Sequence, residues 1–244
     1  MSDTKIATEI EHGKFIAQKG EEIWNWSSPA GIVRWQRRIE MFKSFIGNKN
    51  RKVLEVGCGT GLFTKEIAET KNKIIAIDIS HELLNIARKK IQKNNLTFLL
   101  SNAYKTEFSE NTFDFIIGSS VLHHLNVDLA LKEFYRILKP GGKIMFTEPN
   151  MLNPQIAIQK NIPFIKKMVG DSPDETAFVK WKIKNKLKKE GFNNISVNTF
   201  DFLHPFIPGF IIKFVQPIFN FCEKLPLIKE IAGSLVITAS KEIK

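Results

Sequence analysis

Only two cysteines, Cys58 and Cys222, occur in the 244 residues, and neither belongs to a CxxC pair. That excludes a disulfide framework and a cysteine-based structural zinc. Arginine is also scarce. Of 36 basic residues, 30 are lysine and six are arginine, whereas phosphate and base recognition leans on the planar fork of arginine. The net charge of +11 therefore reads first as a lysine-rich solvated surface and only second as a dedicated polyanion site. No apolar run reaches the roughly 18 residues of a membrane-spanning helix. The opening MSDTKIATEIEHGKF lacks the apolar core of a secretory signal, so a cytoplasmic protein is expected. With 43% hydrophobic and 25% charged residues, the chain has the composition of one globular α/β domain with additions.

The stretch Val53-Leu54-Glu55-Val56-Gly57-Cys58-Gly59-Thr60-Gly61 organises the reading. It is an apolar strand running into a glycine-rich turn, with Leu62 to Glu69 able to be helical. Strand, glycine loop and helix together aim backbone N–H groups at a ligand.

Before it, residues 1–50 read as an N-terminal helical cap. Ser27-Ser28-Pro29 can start a helix in which Ile32, Trp35, Ile39, Phe42 and Ile46 recur at helical spacing. Trp24, Trp26 and Trp35 lie among Arg34, Arg37 and Arg38. They either cover a sheet edge or let an arginine reach over the glycine loop.

After the loop, strands and helices alternate. Lys73 to Asp78 is a strand ending in a carboxylate, and Ser80 can cap the helix that follows. Further strands fall at Leu96 to Leu100, Phe113 to Gly118 and Lys143 to Thr147, with a helix from Asp128 to Leu138 stopping before Pro140-Gly141-Gly142. This rhythm predicts a doubly wound, mostly parallel sheet whose ligands lie beyond the C-terminal strand ends.

Beyond Asn150 the texture changes. Met151 to Met168 is apolar but cut by Pro154 and Pro163. Ser172-Pro173-Asp174-Glu175 forms an S-x-x-E capping box for a helix that Gly191 can end. Ile195 to Thr199 and Leu235 to Ala239 complete seven strands. Between them lies an apolar insertion, 202–230, in which Phe210, Ile211, Phe214, Val215, Ile218, Phe219 and Phe221 form a broad helical face. Pro217 is expected to split this helix. The insertion reads as a lid, an interfacial segment or a packed helix.

The glycines at 57, 59 and 61 do not fit G-x-G-x-x-G, because Leu62 stands where the third dinucleotide glycine would be, and a P-loop lysine is missing. A NAD-linked oxidoreductase is thereby disfavoured. E-V-G-C-G-T-G instead resembles motif I of the class I S-adenosylmethionine-dependent methyltransferases. The rest of that family's set follows in order: Asp78, Ser101-Asn102-Ala103, Phe113-Asp114, Val121-Leu122-His123-His124-Leu125, Leu138-Lys139-Pro140-Gly141-Gly142 and Glu190-Gly191-Phe192. The resemblance is strong over residues 50–150 and weaker over the last strands. It implies a Rossmann-like methyltransferase domain over 51–244, with S-adenosylmethionine as cofactor. Asp78 would then bind the ribose hydroxyls, and Ile79, Asn102 and Ala103 the adenine. Gly57, Cys58, Gly59 and Gly61 would bind the cofactor, with Glu55 and the carbonyls near Cys58 and Ser119 favouring its ammonium and Arg34 on its carboxylate. Glu55 could equally serve a helix N-terminus.

Methyl transfer needs alignment and dryness more than a base. His123 and His124 are the candidate catalytic residues, with a structural role as the alternative. Glu148 and Asn150 are further candidates on the acceptor side. No metal is expected.

The absence of an N/D-P-P-Y/F tetrapeptide and of a Pro-Cys pair argues against nucleic-acid bases as acceptors. The expected acceptor is a small, hydrophobic or lipid-linked molecule, with peripheral membrane contact through 202–230. The alternatives are a nucleoside-binding regulatory protein without methyl transfer and an RNA methyltransferase.

Overall fold

The computed structural model describes residues 2–19, 25–168, 171 and 175–243. Seven strands are present among these residues: β1 Lys52–Val56, β2 Lys73–Asp78, β3 Leu96–Leu100, β4 Phe113–Ser119, β5 Leu138–Pro149, β6 Asn193–Phe200 and β7 Ser234–Ser240. They form one sheet in the order β3-β2-β1-β4-β5-β7-β6. The first five are parallel to one another, and β7 runs antiparallel to both β5 and β6. The chain winds outward from β1 to β3 and then crosses back to β4. The switch point between β1 and β4 is where a doubly wound sheet opens a crevice.

The helices are α1 Ser2–Lys19, α2 Pro29–Ile46, α3 Thr64–Ile67, α4 His81–Lys90, α5 Val127–Ile137, α6 Pro154–Asn161, α7 Pro163–Met168, α8 Lys180–Lys189 and α9 Gly209–Cys222. Because side chains alternate along a strand, the central strands feed two cores. Leu54, Ile116, Ile144 and Phe146 pack with Leu131, Phe134 and Ile137 of α5 and with Ile183 and Leu187 of α8. Val53, Ile117 and Met145 turn the other way, onto Phe42 and Ile46 of α2. Helix α4 covers that second side further along, where Leu84 and Ala87 meet Ala76 and Phe98. Side-chain caps start several helices as their residue types require: Ser28 accepts from Gly31, Ser80 from Leu83, Asn126 from Leu129 and Asn153 from Ile156.

The structure departs from the sequence expectations at four places. Strand β5 begins at Leu138 and takes in Pro140-Gly141-Gly142. Gly141 at φ +74° and a register shift between Phe113 and Phe115 absorb the irregularity. Helix α3 spans four residues only, because the glycine turn continues to Phe63. Ser172 to Asp174 of the expected capping box lie outside the described residues, as does Trp24, and the helix before Gly191 begins at Lys180 without a side-chain cap. The run from Met151 to Met168 is cut at its two prolines as expected, and forms two helices, each beginning at its proline, where the absent N–H costs nothing. Helix α9 passes through Pro217 unbroken.

Candidate active site

Backbone conformation makes the glycine loop. Gly57, Gly59 and Gly61 have φ of +67°, +54° and +86°, a region that side chains with a Cβ resist. The N–H groups of Gly57 and Cys58 both donate to the Ile77 carbonyl, and Gly61 N–H closes the turn on the Cys58 carbonyl. The three glycines nevertheless answer different needs. A Cβ at Gly57 would lie 2.4 Å from Val121, and one at Gly61 would lie 2.5 Å from Ile91 at the end of α4, whereas a Cβ at Gly59 would meet open space.

Asp78 ends β2 directly beneath this loop. Its Oδ2 accepts from Gly59 N–H at 2.8 Å and its Oδ1 from Ser80 N–H at 2.9 Å. Burial pushes its carboxyl up, and these N–H bonds work against that rise. Together the loop and the carboxylate border a cavity of about 160 Å³.

The cavity gathers Gly57, Gly59, Asp78, Ile79, Asn102, Ala103 and His124 from the residues anticipated in the sequence. The Asn102 Oδ1 accepts from Tyr104 N–H at 2.9 Å, which leaves its NH₂ as the donor.

Other anticipated residues stand elsewhere. Arg34 is engaged away from the loop, with its Nε 2.9 Å from Asp201 and its guanidinium over Trp26. The Ser119 hydroxyl accepts from Thr147, and the neighbouring Ser120, at φ +53°, takes the cavity position. Cys58 and Gly61 face the α4 packing. Glu55 is buried behind the loop with its Oε2 unpaired, and burial raises its carboxyl to about 8.

The two histidines divide. His124 borders the cavity, with its Nδ1 3.0 Å from Glu9 of α1 and its ring stacked on His12. His123 is buried, with Nδ1 2.6 Å from Glu148 and Nε2 3.2 Å from Glu175. Burial opposes its protonation, but the two carboxylates overcome this and raise it to about 9. Glu148 also accepts the N–H groups of Val121 and Leu122 at 3.0 and 2.9 Å, fixing the turn after β4. Asn150 is buried and donates to the Glu230 and Ala232 carbonyls. Both act as struts, away from the cavity. Donor atoms of His123, His124 and Glu175 lie within 4.8 Å of one another. Lys160 already sits on Glu175, and Glu148 on His123, so the protein itself balances the charges that a cation would.

Sequence reasoning missed the cover supplied by α1. Ile6, Glu9, His12, Gly13 and Ile16 all border the cavity. Gly13 lets the helix approach so closely that a Cβ there would lie 2.6 Å from the Cβ of Ser80. The signal was present as Ile6, Ile10, Gly13 and Ile16 at helical spacing. Glu175 was missed because the S-x-x-E pattern assigned it to a helix start.

Residues 54–146 match the family model described as a methyltransferase domain. An uncharacterized methyltransferase-like protein of Schizosaccharomyces pombe is 29% identical over 175 residues, which cover 71% of this chain and 64% of that protein. The chain thus spans just under two thirds of that relative. The demethylmenaquinone methyltransferase of Staphylococcus aureus is 26% identical over 225 residues, 82% of this chain and 92% of that protein. Among solved structures, a Thermotoga maritima protein described as a possible histamine N-methyltransferase has the same fold. Its TM-score is 0.67 at 20% identity, over 95% of this chain and 100% of that one.

Proposed function

The chain belongs to the class I S-adenosylmethionine-dependent methyltransferase family, and from that premise we propose that it transfers a methyl group to a small, apolar or lipid-linked acceptor. The observation that carries the cofactor half is Asp78, a buried carboxylate at the end of β2 that borders the cavity and braces the glycine loop. S-adenosylmethionine, when bound, supplies a methyl already activated on a sulfonium.

The fit of the residues to that molecule is physical. Asp78 has lone pairs left for two ribose hydroxyls, since each oxygen receives one N–H. Ile79 offers an apolar face to adenine, and the Asn102 NH₂ a donor to its edge. Gly59 leaves open space where a side chain would stand, so the main chain can approach the methionine end.

His124 is the one of the two histidines placed to orient an acceptor or take its proton. Helix α1 excludes water by roofing the same cavity. An apolar acceptor accords with the relation to a demethylmenaquinone methyltransferase and with the exposed apolar surface of 202–230, which serves as the membrane contact. Calorimetry with S-adenosylmethionine and its demethylated product tests the first half, and release of labelled methyl into a lipid extract tests the second. Absence of cofactor binding would sink the whole reading. Binding together with transfer only to water-soluble acceptors would sink the acceptor class.

A further inference from the structure

We propose that α6, α7 and α9 together form a docking face for an anionic lipid bilayer, at the sheet edge that carries the cavity. The inference rests on the apolar-acceptor reading above and extends it to a segment, 154–168, that no sequence pattern marked as a contact.

The topology puts both segments at one edge. Strand β5 ends at Pro149, which pairs with Ser234 at the start of β7, and Ser234 also pairs with Phe200 at the end of β6. Residues 150–168 and 201–233 therefore leave the sheet side by side, at the end where the glycine loop lies. Asn150 and Asn153 tie the two segments through the Glu230 and Ile231 carbonyls at 2.9 and 2.8 Å.

The apolar side chains there face outward. On α9, Phe210, Phe214, Ile218 and Phe221 recur at i, i+4, i+8 and i+11 and are 59–75% exposed. The opposite side, with Ile211, Val215 and Phe219, is half-buried, and Phe219 stacks on Phe202. Arg37 on Glu223 locks this orientation from α2. On α6, α7 and the junction between them, Ile158, Ile162, Phe164 and Met168 are likewise exposed, Phe164 by 75%, while Lys160 points inward to Asp171 and Glu175.

Charge selects the occupant. The two carboxylates of 202–230 are each held by a basic group, Glu223 by Arg37 and Glu230 by Lys180 at 2.9 Å. Lys213, Lys224 and Lys229 have no carboxylate partner among the described residues. A broad stripe of phenylalanine flanked by lysine suits the headgroup and acyl boundary of an anionic leaflet. A two-fold contact with a second copy would instead bring these lysines together. No helix among the described residues is long and apolar enough to cross a membrane, so the contact is interfacial.

The test is sedimentation of the full chain with phosphatidylcholine vesicles, with and without roughly a third of phosphatidylglycerol. Expected are binding to the anionic vesicles, weakening when salt rises from about 0.1 to about 0.5 M, and a loss of about tenfold in F214E/I218E and again in I162E/F164E. The variant I243E, also at an exposed apolar residue but beside Gly141 at the opposite sheet edge, binds as the parent does. Circular dichroism and calorimetry with S-adenosylmethionine accompany each variant. Failure to bind anionic vesicles, equal binding by the α9 variant, or a parent dimer that F214E/I218E splits would each overturn the proposal. Vesicle binding without cofactor binding would leave this face standing and remove the methyl-transfer reading, whereas the reverse would do the opposite.

Discussion

The two ends of one sheet edge contrast in how they are built. Around β1 and β2 the ligand side is made of backbone, with glycines at positive φ and a carboxylate held by two N–H groups. Around β5, β6 and β7 it is made of side chains, namely a buried charge network under an exposed apolar face. Backbone sites impose residue type and spacing, because glycine and aspartate have few substitutes there. Side-chain faces impose only polarity, which many sequences satisfy. On the proposed function, the first end would recognise a constant molecule, and the second would be free to change with the acceptor.

Five substitutions would break or sharpen this contrast. Replacing Asp78 with Ala should have the largest effect, weakening S-adenosylmethionine by about 100-fold or more in calorimetry, since two charge-assisted hydrogen bonds are lost. A change within threefold would remove the nucleoside assignment. At the glycines, Gly61→Ala should cost about 2–3 kcal/mol in urea unfolding, because strain at φ +86° adds to the clash with Ile91. Gly59→Ala meets open space and should cost only about 1 kcal/mol, while weakening the cofactor more than its stability loss suggests. If both variants behaved alike, the separate roles of the two glycines would be wrong.

His123 comes next. Its folded value of about 9 exceeds its unfolded one, so its contribution is complete below about pH 6.5 and is lost as pH rises through about 9. Thermal unfolding should show a decline over that window on the order of 2 kcal/mol, and His123→Gln should flatten it. An unchanged alkaline slope would mean that the network is not protonated. The smallest stability effect is expected at the apolar face. Phe221→Ser should shift unfolding by about 0.5 kcal/mol or less, because the side chain is 60% exposed. A larger loss would show that α9 is packed rather than presented.

The same contrast explains what was legible in the sequence. Strands β1, β2 and β4 could be placed because buried parallel strands are near-continuous apolar runs. The order of motifs after them led to Asp78, Asn102 and His124 at the cavity. The role of Arg34 was not legible, since its partner Asp201 lies 167 positions away. A local pattern cannot reveal a partner at that distance. The same holds for the pairing of His123 with Glu175, 52 positions on. Pro217 misled for a different reason: half-buried contacts on α2 and Phe202 hold the α9 axis across the one missing hydrogen bond. The cover by α1 was not legible because isoleucines at helical spacing mark a buried face without saying what it packs on.

Gly61 gives the glycine motif a second meaning. Its neighbour is the Ile91 side chain and not the cavity, so the last glycine of the signature records how near a helix comes to the loop. A search pattern that appears to specify a ligand is in part a clearance gauge for the scaffold. A chain could keep that glycine after losing the ligand, for as long as it keeps the helix.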